Sequence, residues 1–323
     1  MIPVLAGCGL KPASAFIPAV SPGSIKPVPA LKGVRISVTS KDFTEQLILG
    51  KMTVQALKVM GADVQDATNA KGSSTSRNSI LRGRNDMGWE YTGTAWITYM
   101  GHDKPVPDAK KQYEVVKKED LAKNNIVWMP PSSFNNTYAI AVTQKTEREY
   151  HLKKLSDITK VPPDKRTFCV EAEFASRADG MPGMLKKYGL KVPESQWKRM
   201  QTGVVYNTTA NGGCTFGEVF DTDGRIKALN LTTLKDDKKF FPLYNPAVTI
   251  RKKVYDKAPA AFTAAFGGIA AKLNTNIMRD LNAQVDVEGK DPAIVAKNWR
   301  IKEGFVKKPP LQDHQLWRSI FGV

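Results

Sequence analysis

The sequence predicts an α/β fold in two lobes, and three observations carry that expectation. At 323 residues the chain is about twice the usual domain size, long enough for two hydrophobic cores. Its first third alternates strand and helix signals as β-α-β-α-β, the succession of a parallel sheet with helices on its faces. A second such set lies inside the first, so the chain must pass between two units twice. Hydrophobic content of 41% with 24% charged residues excludes a disordered or fibrous chain.

Residues 9–32 carry Pro12, Pro18, Pro22, Pro27 and Pro29 with little hydrophobic period, the pattern of an extended tether. Val34, Ile36 and Val38 then alternate with polar residues, which signals a strand. Asp42 and Glu45 have the spacing of a capping box for a helix carrying Leu47, Ile48, Met52, Leu57 and Met60, and Gly61 is its stop. Residues 63–67 read as the next strand, 71–74 as a polar Gly-Ser turn, 75–82 as a helix ended by Gly83, and 86–89 as a third strand. A lysine-rich helix over 110–124 precedes a strand at 126–128, and the loop 129–136 leads into a strand at 137–142.

The embedded set begins with a strand at 167–170 and a helix over 176–188 interrupted by Gly180 and Pro182. Strands are expected at 204–206, 218–220, 229–234 and 248–250, and 252–281 is mainly helical. The crossings fall near 135–138 and 243–245. This divides the chain into a leading segment 1–32, a discontinuous first lobe of 33–137 with 245–323, and a second lobe of 138–244.

A net charge of +17, from 48 Lys plus Arg against 31 Asp plus Glu, raises the question of nucleic acid. The lysines fall in scattered pairs such as Lys110-Lys111, Lys186-Lys187 and Lys307-Lys308, not in one stripe, so a solvated surface facing anionic envelope polymers or headgroups is expected instead. No run reaches the ~18 apolar residues of a membrane-spanning helix. Leu5-Ala6-Gly7-Cys8 looks like a bacterial lipobox, so Cys8 is expected to be lipidated and to anchor the chain to a membrane. The basic and longer apolar stretches that precede such a box are not in this sequence, which reads as a shortened signal peptide. Cys169 and Cys214 are an even pair in a chain expected to be exported, which suits a disulfide, with two buried thiols as the alternative.

Catalytic patterns are missing. His102, His151 and His314 have no serine elbow, thiol or metal-ligand spacing around them, and no phosphate-cradling glycine loop is present. The pairs Glu171/Glu173 and Asp221/Asp223 have the spacing of a strand's solvent face or a turn. The expectation is a protein that is not an enzyme and holds neither metal nor cofactor. Binding fares better, because crevices of open α/β sheets lie at strand carboxyl ends, where 40–46, 71–74, 89–94 and 134–138 combine rings, amides and hydroxyls. The first two of these loops open helices, whose free N–H groups favour a carboxylate. Tyr91, Tyr138, Tyr206 and Tyr244 each sit beside a short apolar or β-branched run, a placement that suggests a cage of rings for a cation. A zwitterion with an ammonium and a carboxylate would suit the set.

Six motifs occur in order: Lys41-Asp42-Phe43-Thr44-Glu45-Gln46-Leu47-Ile48-Leu49-Gly50, Glu90-Tyr91-Thr92-Gly93-Thr94, Phe134-Asn135-Asn136-Thr137-Tyr138-Ala139, Phe174-Ala175-Ser176-Arg177-Ala178-Asp179-Gly180, Thr222-Asp223-Gly224-Arg225-Ile226, and Asp236-Asp237-Lys238-Lys239-Phe240-Phe241-Pro242 with Tyr244-Asn245. Together they resemble the substrate-binding proteins of the glycine betaine, carnitine and choline class of ABC importers. The resemblance covers residues 33–301 and implies a two-lobed periplasmic-binding fold of the second type, closing on its ligand at a hinge of two crossings. It implies that Tyr91, Tyr138, Tyr206 and Tyr244 lie at or near the quaternary-ammonium cage, that Gln46, Asn136, Ser73 and Ser74 hold the polar end, and that Thr94 belongs to the ligand-binding set. Met87-Gly88-Trp89 and the cysteine pair make the chain similar to the branch of osmotically induced betaine binders. The implied role is extracytoplasmic capture by a monomer that delivers its ligand to a permease and its ATPase; a bulkier cargo such as carnitine or ergothioneine, or a ligand with no ammonium at all, is the alternative, and a basic cell-surface adhesion protein the rival of another class. Four desolvated rings at ~1 to 2 kcal/mol each put a micromolar constant, ~8 kcal/mol, within reach.

Overall fold

Two five-stranded sheets organise the chain, each with its own core, and the backbone passes between them twice. The computed structural model describes residues 17–310. In chain order the strands are β1 Ser21–Pro22, β2 Arg35–Lys41, β3 Asp63–Ala70, β4 Met87–Tyr91, β5 Ile126–Trp128, β6 Tyr138–Thr143, β7 Phe168–Val170, β8 Trp197–Arg199, β9 Phe216–Phe220, β10 Leu231–Leu234, β11 Pro246–Arg251 and β12 Val306–Lys307. The first lobe's sheet has the order β3-β2-β4-β11-β5, with β2 parallel to β3 and β4, and β11 antiparallel to both its neighbours. The second lobe's sheet has the order β10-β6-β9-β7-β8, parallel at β7 and antiparallel around β6.

Helix α1, Thr44–Met60, packs Ile48, Leu49, Met52 and Leu57 into the first core. Each such side chain contributes roughly 1.5 to 3 kcal/mol on burial. Gly61 stops the helix in the left-handed conformation at φ 95°, its N–H returning to the carbonyls of Leu57 and Lys58. The expected capping box is not formed. Phe43 is the N-cap residue, Asp42 accepts from the Gly72 N–H at 3.2 Å, and Glu45 is buried among side chains. Helix α2, Ser73–Leu81, begins inside the stretch expected to be a turn.

Two further expectations need correction. The tether reading fails over its described part: β1 pairs antiparallel with β12, and Ile25 and Leu31 are buried in the first core. Proline content records missing N–H donors, but it does not prevent the apolar residues between prolines from packing. Residues 1–16, with Cys8 and the lipobox, lie outside the described residues. The strand expected at 204–206 is instead the helix Thr202–Ala210. Its β-branched residues favour a strand in isolation, yet it lies on β9 where Gly217 leaves room; a Cβ there would stand 2.2 Å from Thr209 Oγ1.

The crossings are tied to each other as well as to the sheets. The Tyr244 N–H donates to Asn135 Oδ1 at 2.7 Å, the Asn136 N–H to the Tyr244 carbonyl at 3.2 Å, and Asn245 Nδ2 to the Phe134 carbonyl at 2.9 Å. These hydrogen bonds hold the two crossing segments side by side. They also bring the residues flanking both crossings, Tyr138 and Tyr244, to the same end of the cleft.

Candidate functional site

The cleft between the lobes is lined by rings and charges in alternation. From the first lobe come Lys41, Asp42, Phe43, Tyr91, Thr94 and Asn136; from the second, Tyr138, Glu171, Glu173, Arg177, Phe220 and Tyr244. Strand register explains the set: Lys41 ends β2, Tyr91 ends β4, Phe220 ends β9 and Tyr138 starts β6, all at strand termini that face the opposite lobe. Gly93 lets the loop after β4 lie against the second crossing, because a Cβ there would stand 2.7 Å from the Leu243 carbonyl oxygen and 3.0 Å from the Tyr244 ring. The space left for water centres is only about 40 Å³, so side chains nearly fill the cleft at this closure.

Three of the four tyrosines meet here. Tyr138 stands edge-on to Tyr244 at 5.5 Å between centroids and 5.3 Å from Phe220, while Phe43 stacks on Phe220 across the lobes at 5.2 Å and faces Tyr91 at 6.2 Å. Burial pushes all three tyrosine hydroxyls well above their ordinary range, so the rings stay neutral. Tyr91 donates to Glu45 Oε1 and Tyr244 to Asp179 Oδ2, each at 2.7 Å, which fixes their ring planes.

Tyr206 is not among them. It is fully buried on the far side of the second sheet, packed with Val205, Cys169 and Cys214; its hydroxyl accepts from the Phe220 N–H at 2.8 Å, and Arg225 covers its ring at 4.3 Å. Helical instead of extended backbone at 202–210 carries it there, and Phe43 and Phe220 supply rings in the cleft instead.

The ring faces already hold cations of the protein's own. Lys41 Nζ lies 4.9 Å from the Tyr91 centroid and pairs with Glu90 at 2.6 Å; Arg177 Cζ lies 5.6 Å from the Tyr138 centroid. The Arg177 guanidinium donates to Asp179 through two nitrogens at 2.7 and 2.5 Å, to Glu173 at 2.8 Å, and across the lobes to Thr94 Oγ1 at 3.4 Å. Opposing the burial of Glu173, the charges of Lys41 and Arg177 and hydrogen bonds from Ser73 hold its carboxyl down at about 2. Burial raises Glu171, with Glu173 and Asp42 adding to the effect against a Thr202 hydrogen bond, and it raises Glu218, which lies behind Glu171, still further.

The remaining expected residues divide. Thr94, Asn136 and Ser73 line the cleft, but the Ser73 N–H at the start of α2 is taken by Glu173 Oε2 at 3.0 Å, the place expected for a ligand carboxylate. Ser74 is exposed in an adjoining bay beside Thr98 and Ser176. Gln46 is buried behind the cleft wall, where its Oε1 accepts from the Lys41 N–H at 3.3 Å. Glu171 and Glu173 are wall residues of the cleft, not a solvent face. Lys41, Phe43, Arg177 and Phe220 escaped the reading by residue type, although three of them sit inside the motifs quoted above. Cys169 on β7 and Cys214 before β9 are disulfide-bonded, their Cα atoms 5.7 Å apart. Among the described residues there is no cluster of potential metal ligands and no helix long and apolar enough to cross a membrane.

Comparison with known proteins agrees with this architecture. The family described as the substrate binding domain of ABC-type glycine betaine transport systems matches residues 34–302. A glycine-betaine-binding protein of Pseudomonas aeruginosa is 37% identical over 272 residues, covering 82% of this chain and 86% of its own. An ergothioneine transport permease/ergothioneine binding protein of Helicobacter pylori is 31% identical over 271 residues, covering 84% of this chain but only 48% of its own length. The crystal structure of a glycine betaine/carnitine/choline ABC transporter protein superposes with a TM-score of 0.68 at 27% identity, covering 84% of this chain and 99% of that one. Two sheets, paired crossings and the sequence match lead to one conclusion: the chain belongs to the family of substrate-binding domains of ABC-type glycine betaine transport systems, a family of transport binding proteins and not of enzymes.

Proposed function

We propose that the protein captures a small quaternary-ammonium compound of the glycine betaine or choline type outside the cytoplasm and presents it to a permease powered by an ATPase. The observation that supports this most is the pair of protein cations over tyrosine faces, Lys41 on Tyr91 and Arg177 on Tyr138, in a cleft with three more rings. A site built to stabilise a cation on neutral rings suits a ligand cation that cannot donate hydrogen bonds. On this reading Phe43, Tyr91, Tyr138, Phe220 and Tyr244 form the cage, and Lys41, Arg177, Thr94 and Asn136 face the polar end of the ligand. Cys8 carries the lipid anchor, the two lobes move as units about the paired crossings, and the protein acts as a monomer.

A bulkier trimethylammonium ligand is the second reading, supported by the hydroxyl-lined bay beyond Ser73 and by the ergothioneine-binding relative. Tryptophan fluorescence titration with glycine betaine, choline, carnitine and ergothioneine separates the two. Saturation by one of the first pair, lost in Tyr91→Ala, supports the main reading. A flat response to all four ligands would sink both.

A further inference from the structure

We propose that Glu45 is a positioning residue that couples the cage ring Tyr91 to the pairing of the lobes. Its carboxylate is buried and serves two groups of donors at once. Oε1 accepts from the Tyr91 hydroxyl at 2.7 Å and from Asn136 Nδ2 at 2.9 Å, both on the cleft side of the first lobe. Oε2 accepts from Thr222 Oγ1 of the second lobe at 2.5 Å and from Asn282 Nδ2 at 3.3 Å. Asn282 also donates to the Thr222 carbonyl at 2.9 Å, so the second lobe is gripped at side chain and backbone together.

Local geometry makes this a built junction. Gly224 allows the segment after β9 to press on the first lobe's helix Thr275–Asp286, where a Cβ would stand 2.6 Å from the Ala283 Cβ. On the same helix Asp286 accepts from Thr44 at 2.6 Å and pairs with Arg225 at 3.5 Å, and Arg279 pairs with Asp221 at 3.0 Å. Thr222 does not line the cage cavity, and Tyr91 and Thr222 hydrogen-bond to opposite oxygens of Glu45, which is the partner they share. Three of the four donors to Glu45 belong to its own lobe and only Thr222 reaches it from the other, so Oε2 keeps its shortest hydrogen bond only while the lobes are together. Opening removes the Thr222 donor and frees the carboxylate to release or reorient Tyr91, whose ring plane depends on the other oxygen.

The inference rests on the proposed ligand reading for its affinity arm and stands apart from it in a ligand-free arm. The experiment is a double-mutant cycle on Tyr91→Phe and Thr222→Val, with Thr222→Ser as the conservative control. Dissociation constants for glycine betaine are measured by calorimetry, and lobe separation of the ligand-free protein by small-angle X-ray scattering. Coupling predicts that each single change weakens binding by about fivefold or more, that the double variant is no worse than about the weaker single, and that Thr222→Ser stays near the parent. It also predicts a larger ligand-free radius of gyration in both singles and no further increase in the double. Effects that multiply in the double variant, or a Thr222→Val protein that binds and scatters like the parent, would overturn it. If the parent binds neither glycine betaine nor choline, the ligand reading fails and the scattering series alone decides the role of Glu45.

Discussion

Tyr138 is the ring on which the proposed cage depends most, and replacing it by leucine tests the chemistry of the site. The residue is 6% exposed, its ring lies within 6.0 Å of Phe174, Phe220, Phe241 and Tyr244, and it carries the Arg177 guanidinium at 5.6 Å. Leucine keeps much of the apolar contact but has no π face. A desolvated cation–π contact of ~1 to 2 kcal/mol corresponds to a loss of about 5- to 30-fold in affinity for a quaternary ammonium. Phenylalanine at the same position keeps the face and is expected to stay within about threefold of the parent. Calorimetric titration of both variants with glycine betaine and choline reads the difference. Leucine binding as tightly as tyrosine, or phenylalanine failing as badly as leucine, would refute the reasoning, the second by assigning the contribution to the hydroxyl.

The other predictions concern packing and protonation. Gly93→Ala pushes the loop after β4 off the Leu243 carbonyl and the Tyr244 ring, and should weaken ligand binding by about tenfold or more in the same titration while the far-UV circular dichroism spectrum is unchanged. Glu218 is buried with Oε1 unpartnered, and its carboxyl is raised by burial and by Glu171, so its contribution to stability is complete below the ordinary value of 4.5 and lost as pH rises through the raised folded value. Glu218→Gln should therefore raise the melting temperature at pH 8 and lose that advantage near pH 4.5, as followed by scanning calorimetry. Glu173 has the opposite sign: held at about 2, it stabilises above the ordinary 4.5 and ceases to do so as pH falls towards 2, a loss that Glu173→Gln should remove. Replacing Cys169 and Cys214 by serine opens a loop with a sequence separation of 45 residues and should cost about 4 kcal/mol in denaturant unfolding, with affinity nearly unchanged because the bridge lies away from the cleft.

What could be read from the sequence follows from which forces are local. Alternation at Val34, Ile36 and Val38 and helical spacing from Leu47 to Met60 placed β2 and α1, because each element buries a face whose period is written in consecutive residues. The helix carrying Tyr206 is not legible in its own β-branched residues, because its packing depends on Gly217, eleven positions further on, where a missing Cβ admits Thr209. Asp42 and Glu45 carried a cap spacing, but longer-range partners claimed both: Gly72 for Asp42, and Tyr91, Asn136, Thr222 and Asn282 for Glu45. The proposed cage is half legible in the sequence. Tyr91, Tyr138 and Tyr244 announced themselves as aromatic residues at strand ends and crossings, whereas Lys41 and Arg177 resemble surface charges until two lobes fold their carboxylate partners around them.

The most direct test of the central claim compares two ligands of the same shape and different charge. Calorimetric titration with choline and with 3,3-dimethylbutan-1-ol, its uncharged isostere, separates ring-held charge from apolar fit. Cation–π capture predicts saturable binding of choline and at least about tenfold weaker binding of the isostere, the equivalent of one desolvated ring contact or more. Equal affinity for the two, or saturation by the isostere alone, would contradict it.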